Sequence, residues 1–178
     1  MNKKKLSKFL SFVLRHKPET LDLKIDKKGW VDLDELLEKM AAAGKAASRE
    51  EIEMVVNTND KQRFMIDAKT NKIRANQGHS IKVKLELQER IPPAVLYHGT
   101  AFKHLRGIKE KGLQKMKRQY VHLSRDFHIA KSVGSRHGVA TVLKIDCLKM
   151  IESGSKFYLS ANNVWLTNDV PARFITFE

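Results

Sequence analysis

The chain has very little cysteine and no long apolar run, and each shortage excludes a class of protein. Among its 178 residues Cys147 is the only cysteine, so no intrachain disulfide can form, and a reducing compartment is expected. Ser7, Lys8 and Ser11 interrupt the apolar segment near the start, which is not typical of a secretory signal. No stretch reaches the ~20 apolar residues of a membrane span. We therefore expect a cytoplasmic protein with no membrane partner.

The sequence also lacks the common motifs for binding metals and nucleotides. Its 7 histidines show no HExxH spacing, and a single cysteine cannot build a zinc knot. There is no P-loop and no GxGxxG motif after a strand. We predict that the protein holds no metal, and that any nucleotide it uses is bound by another kind of site.

Acidic residues are scarce relative to basic ones. The chain has 34 lysines and arginines against 20 aspartates and glutamates, which gives a net charge of +14. Both halves of the chain are basic, so the excess does not come from a charged tail. A charge of this size favours a polyanionic partner.

The first half has the pattern of three helices and a hairpin. Apolar residues spaced i, i+3, i+4, i+7 from Leu6 predict a helix that ends near His16, because Pro18 disfavours helical backbone before it. Capping patterns predict further helices after Asp32 and Ser48. Two strands are predicted within residues 63–75. This order favours a winged-helix unit.

The second half predicts a unit of helices and short strands. Residues 81–89 alternate apolar and charged side chains, which predicts a half-buried strand, and Pro92-Pro93 indicates a boundary. A buried strand then runs into a glycine turn at Gly99, and a short helix ends at Gly112. Further elements are predicted as strands at 120–124, 141–147 and 163–167 and a helix that begins at Asp126 and loosens at Gly134.

Two strand segments carry a histidine beside a small hydroxyl residue. They are His98-Gly99-Thr100 and His122-Leu123-Ser124. A single histidine at a strand end is more often a structural hydrogen-bonding residue, but two such segments favour a polar pocket. Glycine would let a ligand approach the backbone, and His, Thr and Ser can bind amide and ribose hydroxyl groups.

The chain resembles the RNA 2′-phosphotransferase family along nearly its whole length. The resemblance rests on several long segments in the same order, which together are far more specific than any one of them. They are LSKFLSFVLRHKP (6–18), GWVDLDELL (29–37), KQRF (61–64), IRANQGHS (73–80), LYHGT (96–100), RQYVHLS (118–124), VGSRHG (133–138) and NVWLTNDVP (163–171).

The resemblance implies an α+β protein with two lobes. Residues 1–92 would form a winged-helix lobe that binds the RNA phosphate, and residues 93–178 an ADP-ribosyltransferase-like lobe that binds NAD. The catalytic set implied by the motifs is Arg15, His16, Arg63 and Arg118. The implied NAD contacts are His98, Gly99, Thr100, His122, Ser124, Gly134, Arg136 and Val164.

The resemblance also implies a reaction in two steps. The RNA 2′-phosphate attacks C1″ of NAD and expels nicotinamide, and O2″ then attacks the phosphorus. The products are 2′-OH RNA and ADP-ribose 1″,2″-cyclic phosphate, and the intermediate is RNA that is ADP-ribosylated on its 2′-phosphate. Val164 stands where relatives with this fold often have a glutamate. A phosphate acceptor is already anionic and needs charge neutralisation, which arginine supplies well.

The expected partners are NAD and a tRNA-like RNA with an internal 2′-phosphate, as in tRNA splicing, and the protein is expected to act as a monomer. Two alternatives remain at this point. One is an ADP-ribosyltransferase that acts on terminal phosphates of nucleic acids. The other is a non-enzymatic winged-helix regulator, which the acidic residues Glu50, Glu51 and Glu53 of the third helix disfavour, because a helix entering a DNA groove should be basic.

Overall fold

A computed structural model of the chain describes residues 1–59 and 61–177. It divides into two compact units, Met1–Glu86 and Leu87–Glu178. Both units combine helices with small antiparallel sheets, which confirms the α+β class. In the described part of the chain, no helix has the length and apolar composition that a membrane span requires.

The first unit places three helices beside one small sheet. Strand β3 lies between β1 and β2 and is antiparallel to both, with Ile73 opposite Val31 on one side and Ile66 on the other. The elements are α1 (Lys3–Arg15), β1 (Val31–Asp32), α2 (Leu33–Ala42), α3 (Arg49–Asn57), β2 (Phe64–Asp67) and β3 (Lys72–Ala75).

Helices α2 and α3 begin where their caps predict, and α1 ends near His16 as predicted. Asp32 accepts hydrogen bonds from the first turn of α2, and Ser48 and Glu51 form a complete capping box at α3. His16 is the C-terminal cap of α1. The apolar face of α1 enters the core of the unit, with Leu6 and Leu10 almost fully buried.

The strand predicted at residues 81–89 is wrong, although its pattern of burial is right. Val83 is buried while its neighbours Lys82 and Lys84 are exposed, as the alternation predicts. Ile81 N–H donates to the carbonyl oxygen of Arg15 at a helix end, and Lys84 N–H donates to that of Lys27 in a turn. Among the described residues, the pairing of this segment with a strand is limited to a single bridge at its end, between Glu89 and Tyr158. Alternating side chains fix which face is buried, but a strand also needs a neighbour to pair with.

The second unit contains two small antiparallel sheets and three short helices among its described residues. The sheets have the strand orders β4-β6-β9 and β5-β8-β7. The elements are β4 (Val95–Ala101), α4 (Leu105–Lys111), β5 (Val121–Leu123), α5 (Phe127–Gly134), β6 (Ala140–Asp146), α6 (Cys147–Glu152), β7 (Phe157–Leu159), β8 (Trp165–Thr167) and β9 (Ile175–Phe177).

The predicted glycine turn at Gly99 is also wrong. Strand β4 continues through this residue, which lies opposite Val142 of β6. The division between the units falls before Leu87, a few residues earlier than the proline pair suggested. The reason is that residues 89 and 90 already bond to the second unit: Arg90 N–H donates to Phe157 at 2.9 Å, and Glu89 pairs with Lys156 at 2.9 Å.

Candidate functional site

Arg15 and His16 lie where α1 ends. Fully buried residues such as Val13 fix the orientation of this helix end. The Arg15 guanidinium donates from Nη2 to the carbonyl oxygen of Arg63 at 3.3 Å, and its Cζ lies 5.8 Å from the centroid of the Phe64 ring. The helix end therefore places Arg15 beside a second predicted catalytic residue.

Arg63 precedes β2 and is held through both its main chain and its side chain. Its carbonyl oxygen also accepts the main-chain N–H of Asn76 at 2.9 Å, and its Nη1 donates to Oδ1 of Asn59 at 2.8 Å. Asn59 in turn donates to Ser7 of α1 at 3.1 Å. Two arginines that are 48 residues apart in sequence are thus brought together by the fold of the first unit.

The segment NQGHS (76–80) packs against the same helix end. The main-chain N–H of Ser80 donates to the carbonyl oxygen of Arg15 at 2.9 Å, and the Ser80 hydroxyl lies 3.0 Å from Nδ1 of His16. At Gly78 the backbone has a φ of +87°, and a Cβ there would lie 3.6 Å from Nη1 of Arg15. Ser80 lies outside the catalytic set that the motifs imply, because its contact with His16 arises only in the fold.

His79 is a buried histidine beside these residues. It is 1% exposed, and in residues 1–59 and 61–177 neither of its ring nitrogens has a hydrogen-bond partner. Burial lowers the pKa of His79 to about 4, and the positive charges of Arg15 and His16 act in the same direction. The His79 ring is therefore neutral at pH 7 and adds no charge to the arginine cluster.

In the second unit, His98 of β4 and His122 of β5 lie next to each other. Nδ1 of His98 is 3.0 Å from the carbonyl oxygen of His122, and since a carbonyl can only accept, Nδ1 carries the proton. Burial lowers the pKa of His98, the bond to His122 opposes that shift, and the charge of Arg118 adds to it. The neutral ring then has Nε2 as an acceptor, which suits a ribose hydroxyl.

Gly99 and Gly134 allow helix α5 to pack directly on strand β4. A Cβ at Gly99 would lie 1.6 Å from the carbonyl oxygen of Ala130, and one at Gly134 would lie 2.6 Å from the carbonyl oxygen of Thr100. The backbone of α5 therefore fills the space that Gly99 leaves on this side, and a ligand cannot use it. The assignment of Gly99 and Gly134 as NAD contacts stays a prediction, and both residues also have a packing role.

Arg118 lies in the turn before strand β5, and Ser124 directly follows that strand. Arg118 is exposed, and partial desolvation of its guanidinium lowers its pKa. It has no carboxylate partner in the described part of the chain, and it lies close enough to His98 to affect that ring. The Ser124 hydroxyl accepts the main-chain N–H of Asp126 and donates to its carbonyl oxygen, both at 3.0 Å, so it stabilises the start of α5.

The remaining predicted residues lie at turns. Arg136 is exposed in the short 3₁₀ turn that follows α5. Val164 follows Asn163, whose φ of +59° is left-handed. The main-chain N–H of Val164 donates to the Ser160 hydroxyl at 3.0 Å. In the described residues neither Arg136 nor Val164 shares a hydrogen bond or ion pair with His98.

Taken unit by unit, the fold brings together Arg15, His16 and Arg63 in the first unit. In the second it brings Arg118 near the pair His98–His122. No group of three His, Cys, Asp or Glu side chains in residues 1–59 and 61–177 is placed to hold a metal ion. The absence of a metal from the reaction stays a prediction.

Comparison with known proteins identifies the family. The family model described as "RNA 2′-phosphotransferase, Tpt1 / KptA family" matches residues 1–169. The chain belongs to the RNA 2′-phosphotransferase family. A relative from Fusobacterium nucleatum named "Probable RNA 2′-phosphotransferase" is 52% identical over 177 residues, which cover 99% of both chains. Relatives with the same name from Flavobacterium johnsoniae and Streptomyces coelicolor are 50% and 47% identical, covering 98% and 97% of this chain and 96% and 94% of their own.

Membership of the RNA 2′-phosphotransferase family confirms the resemblance seen in the sequence and supports an enzyme that removes a 2′-phosphate from RNA. The matched range includes every candidate residue, from Arg15 to Val164. The roles of the individual residues stay predictions.

Proposed function

We propose that this protein transfers an internal 2′-phosphate from RNA to NAD. The observation that carries the proposal is the family match over residues 1–169. The RNA 2′-phosphate displaces nicotinamide, and the resulting ADP-ribosylated RNA is resolved to 2′-OH RNA and ADP-ribose 1″,2″-cyclic phosphate. The proposal includes a cytoplasmic monomer that needs no metal, and a winged-helix and an ADP-ribosyltransferase-like lobe.

Arg15 and Arg63 are proposed to bind the oxygens of the RNA 2′-phosphate. The Arg15 guanidinium donates to the Arg63 carbonyl oxygen, which also accepts from Asn76 of the NQGHS segment. The Arg63 guanidinium donates to Asn59, so both side chains are positioned before the substrate arrives. A preorganised pair of arginine forks stabilises charge on a phosphoryl group without reorganisation at the moment of reaction. Arg118 is the third arginine of the proposed set.

His16 is proposed to move protons when the RNA 2′-OH leaves. An ordinary imidazole titrates near neutral pH, which suits acid and base roles in one cycle. The bond between its Nδ1 and the Ser80 hydroxyl holds the ring in one orientation, as proton transfer at a defined position requires.

The second unit is proposed to bind NAD, with His98, Thr100 and His122 closest to the nicotinamide ribose. The fixed tautomer of His98, with Nδ1 on the His122 carbonyl, supports this because Nε2 is left to accept from a ribose hydroxyl. Gly99, Ser124, Gly134, Arg136 and Val164 complete the proposed NAD-binding set.

The test uses a short RNA with one internal 2′-phosphate. The full-length protein is incubated with this RNA, with and without NAD and with a chelator present, and RNA and nucleotide products are followed together. We expect NAD-dependent formation of 2′-OH RNA, nicotinamide and ADP-ribose cyclic phosphate despite the chelator. Replacing His16 with Ala should let ADP-ribosylated RNA accumulate. Normal turnover by that variant without an intermediate would contradict the role of His16.

Failure of wild-type turnover would separate the remaining candidates. A folded protein that binds NAD but leaves internal 2′-phosphates untouched would favour terminal phosphates as acceptors, which can be tested with 5′- and 3′-phosphorylated RNA. A folded protein that binds no NAD would overturn the proposed reaction.

A further inference from the structure

Helix α1 begins with three lysines in a place where lysine is unfavourable. Lys3, Lys4 and Lys5 occupy its first turn, and that turn contains no acidic residue. The N-terminus of a helix carries a partial positive charge, so cations there are destabilising and carboxylates are preferred. Helices α2 and α3 of the same unit follow the preference, with two acidic residues each in their first turns. The lysines of α1 are therefore not explained by helix stability.

Ion pairing within the protein does not explain them either. Lys3, Lys4, Lys5 and Lys8 are all exposed, and no carboxylate lies within ion-pair distance of any of them in residues 1–59 and 61–177. The nearby acid Glu51 instead bonds to the Ser48 main chain at 2.9 Å and to the N-terminal amine at 3.4 Å. The first two turns of α1 thus present unneutralised positive charge to solvent.

Two of these charges, Lys4 and Lys8, lie on the face of α1 that ends at Arg15. Lys4, Lys8 and Arg15 are spaced by four and seven residues, which places them on one side of a helix with 3.6 residues per turn. Phe12 lies on the same side between Lys8 and Arg15, and 43% of it is exposed. From Lys4 to Arg15 the helix rises about 16 Å, the length of about five stacked nucleotides.

We propose that this face of α1 binds the RNA strand that flanks the 2′-phosphate. Lys4 and Lys8 contact backbone phosphates and the Phe12 ring stacks on a base, while Arg15 holds the 2′-phosphate. We call this row of side chains (Lys4, Lys8, Phe12 and Arg15) the track. Unneutralised lysines with an exposed aromatic ring among them are the combination that binds single-stranded nucleic acid without sequence preference. The inference rests on the proposed function, because it takes Arg15 as the residue at the 2′-phosphate.

The test compares a double variant on this face with a matched control. Lys4→Gln with Lys8→Gln removes two charges from the track. Lys24→Gln with Lys45→Gln removes two exposed charges elsewhere in the same unit, and these lysines likewise have no carboxylate partner in the described residues. The substrates are an RNA dinucleotide with an internal 2′-phosphate, and the same dinucleotide extended by five nucleotides on its 5′ side or its 3′ side.

We expect wild type to have a lower KM for one of the extended RNAs than for the dinucleotide. The track variant should lose this advantage, by about five-fold for each lysine at 0.1 M salt, with kcat unchanged. The salt dependence of binding to the extended RNA should weaken, its log–log slope falling by about 0.7 for each lysine. The control variant should keep the length advantage, and its slope should match that of wild type.

Stability separates this role from a structural one. Because Lys4 opposes the helix dipole, the track variant should unfold at the same temperature as wild type or a higher one. Phe12→Leu keeps an apolar side chain of similar size and should weaken binding to the extended RNA by several-fold. Equal KM values and equal salt slopes for the track and control variants would overturn the proposal. It would also be overturned if the track variant bound RNA as wild type does but lost binding to anionic lipid vesicles, because the face would then bind lipid and not RNA.

The binding experiment does not need catalysis. Fluorescence anisotropy of the extended 2′-phosphorylated RNA, without NAD, measures the track even if wild type turns over no RNA. Absence of turnover with track-dependent binding would contradict the proposed reaction and retain the surface. Turnover by wild type, with RNA binding by the track variant unchanged, would retain the proposed reaction and contradict the proposed surface.

Discussion

The Ser80 hydroxyl lies 3.0 Å from Nδ1 of His16, and this contact links two segments that are distant in sequence. The main chain of Ser80 separately donates to the carbonyl oxygen of Arg15 at 2.9 Å. The main-chain bond fixes the segment, and the hydroxyl contacts the imidazole and makes only a longer, 3.4 Å contact with the Arg15 carbonyl oxygen. The two functions can therefore be separated by mutation.

Removing the Ser80 hydroxyl should impair catalysis more than folding. Ser80→Ala keeps the main-chain bond to Arg15 but frees Nδ1 of His16, so the ring loses its fixed orientation. We expect kcat to fall by about ten-fold, with a shifted pH–rate profile and an unchanged unfolding temperature. Ser80→Thr should restore most of the rate.

Ser11→Ala is the matched control for this change, because Ser11 is a serine of α1 without a side-chain hydrogen bond to the site residues. The expected result is wild-type kinetics. If Ser80→Ala behaves like Ser11→Ala across the pH range, the hydroxyl does not position His16.

A methyl group at Gly99 should destabilise the second unit strongly. The new Cβ would lie 1.6 Å from the carbonyl oxygen of Ala130, so α5 would have to move away from β4, at a cost of about 3 kcal/mol or more in the free energy of unfolding. Chemical denaturation of Gly99→Ala and wild type measures this loss in the free energy of unfolding. Gly107→Ala is the control: it lies within α4 with open space around it, and alanine there should stabilise by about 0.5–1 kcal/mol. Equal effects of the two substitutions would contradict this packing.

The local structure of the first unit could be predicted from the sequence because its signals are local. The spacing of apolar residues in α1, the Asp32 cap and the Ser48–Glu51 capping box each act within a few residues. The strand at 81–89 failed for the opposite reason. Alternation predicts which side chains are buried, but strand pairing depends on what lies beside the backbone. Here Ile81 and Lys84 bond to Arg15 and Lys27 instead of to a neighbouring strand.

In the candidate site too, features set by local sequence could be predicted, and features set by contacts between distant segments could not. The arginines and histidines could be named from motifs, but the reason they come together could not, since the NQGHS segment acts through contacts with α1 that are remote in sequence. Gly99 was interpreted as room for a ligand, whereas α5 fills the space on one side of it. A glycine in a sequence indicates a close approach to the backbone without saying what approaches.

Replacing Arg63 with lysine should separate charge from geometry at the proposed phosphate site. Lysine keeps a positive charge but loses the planar fork, including the 2.8 Å bond from Nη1 to Asn59. We expect the step that resolves ADP-ribosylated RNA to slow by about 100-fold, so this species should accumulate during single-turnover reactions. Arg125→Lys, at an exposed arginine of the second unit, should leave the time course unchanged. An Arg63→Lys enzyme without accumulation would argue against a bidentate role.

Buried His79 should make the stability of the protein depend on pH in the mildly acidic range. Burial, with the charges of Arg15, His16 and Arg74, lowers the pKa of His79 from 6.5 to about 4 in the folded state. Between these values the unfolded chain binds a proton that the folded protein does not, so stability rises with pH and is lost as pH falls from about 6.5 to about 4. The full contribution is about 3 kcal/mol.

The measurement is urea denaturation at a series of pH values from 4 to 7. His79→Leu fills a similar volume and cannot be protonated, so its free energy of unfolding should fall less than that of wild type over this range. At pH 7 the variant should be close to wild type, because the neutral ring has no hydrogen-bond partner among the described residues to lose. Exposed His104 provides the control, and His104→Gln should follow the wild-type curve. Parallel curves for wild type and His79→Leu would mean that His79 takes up its proton in the folded state near its ordinary pKa.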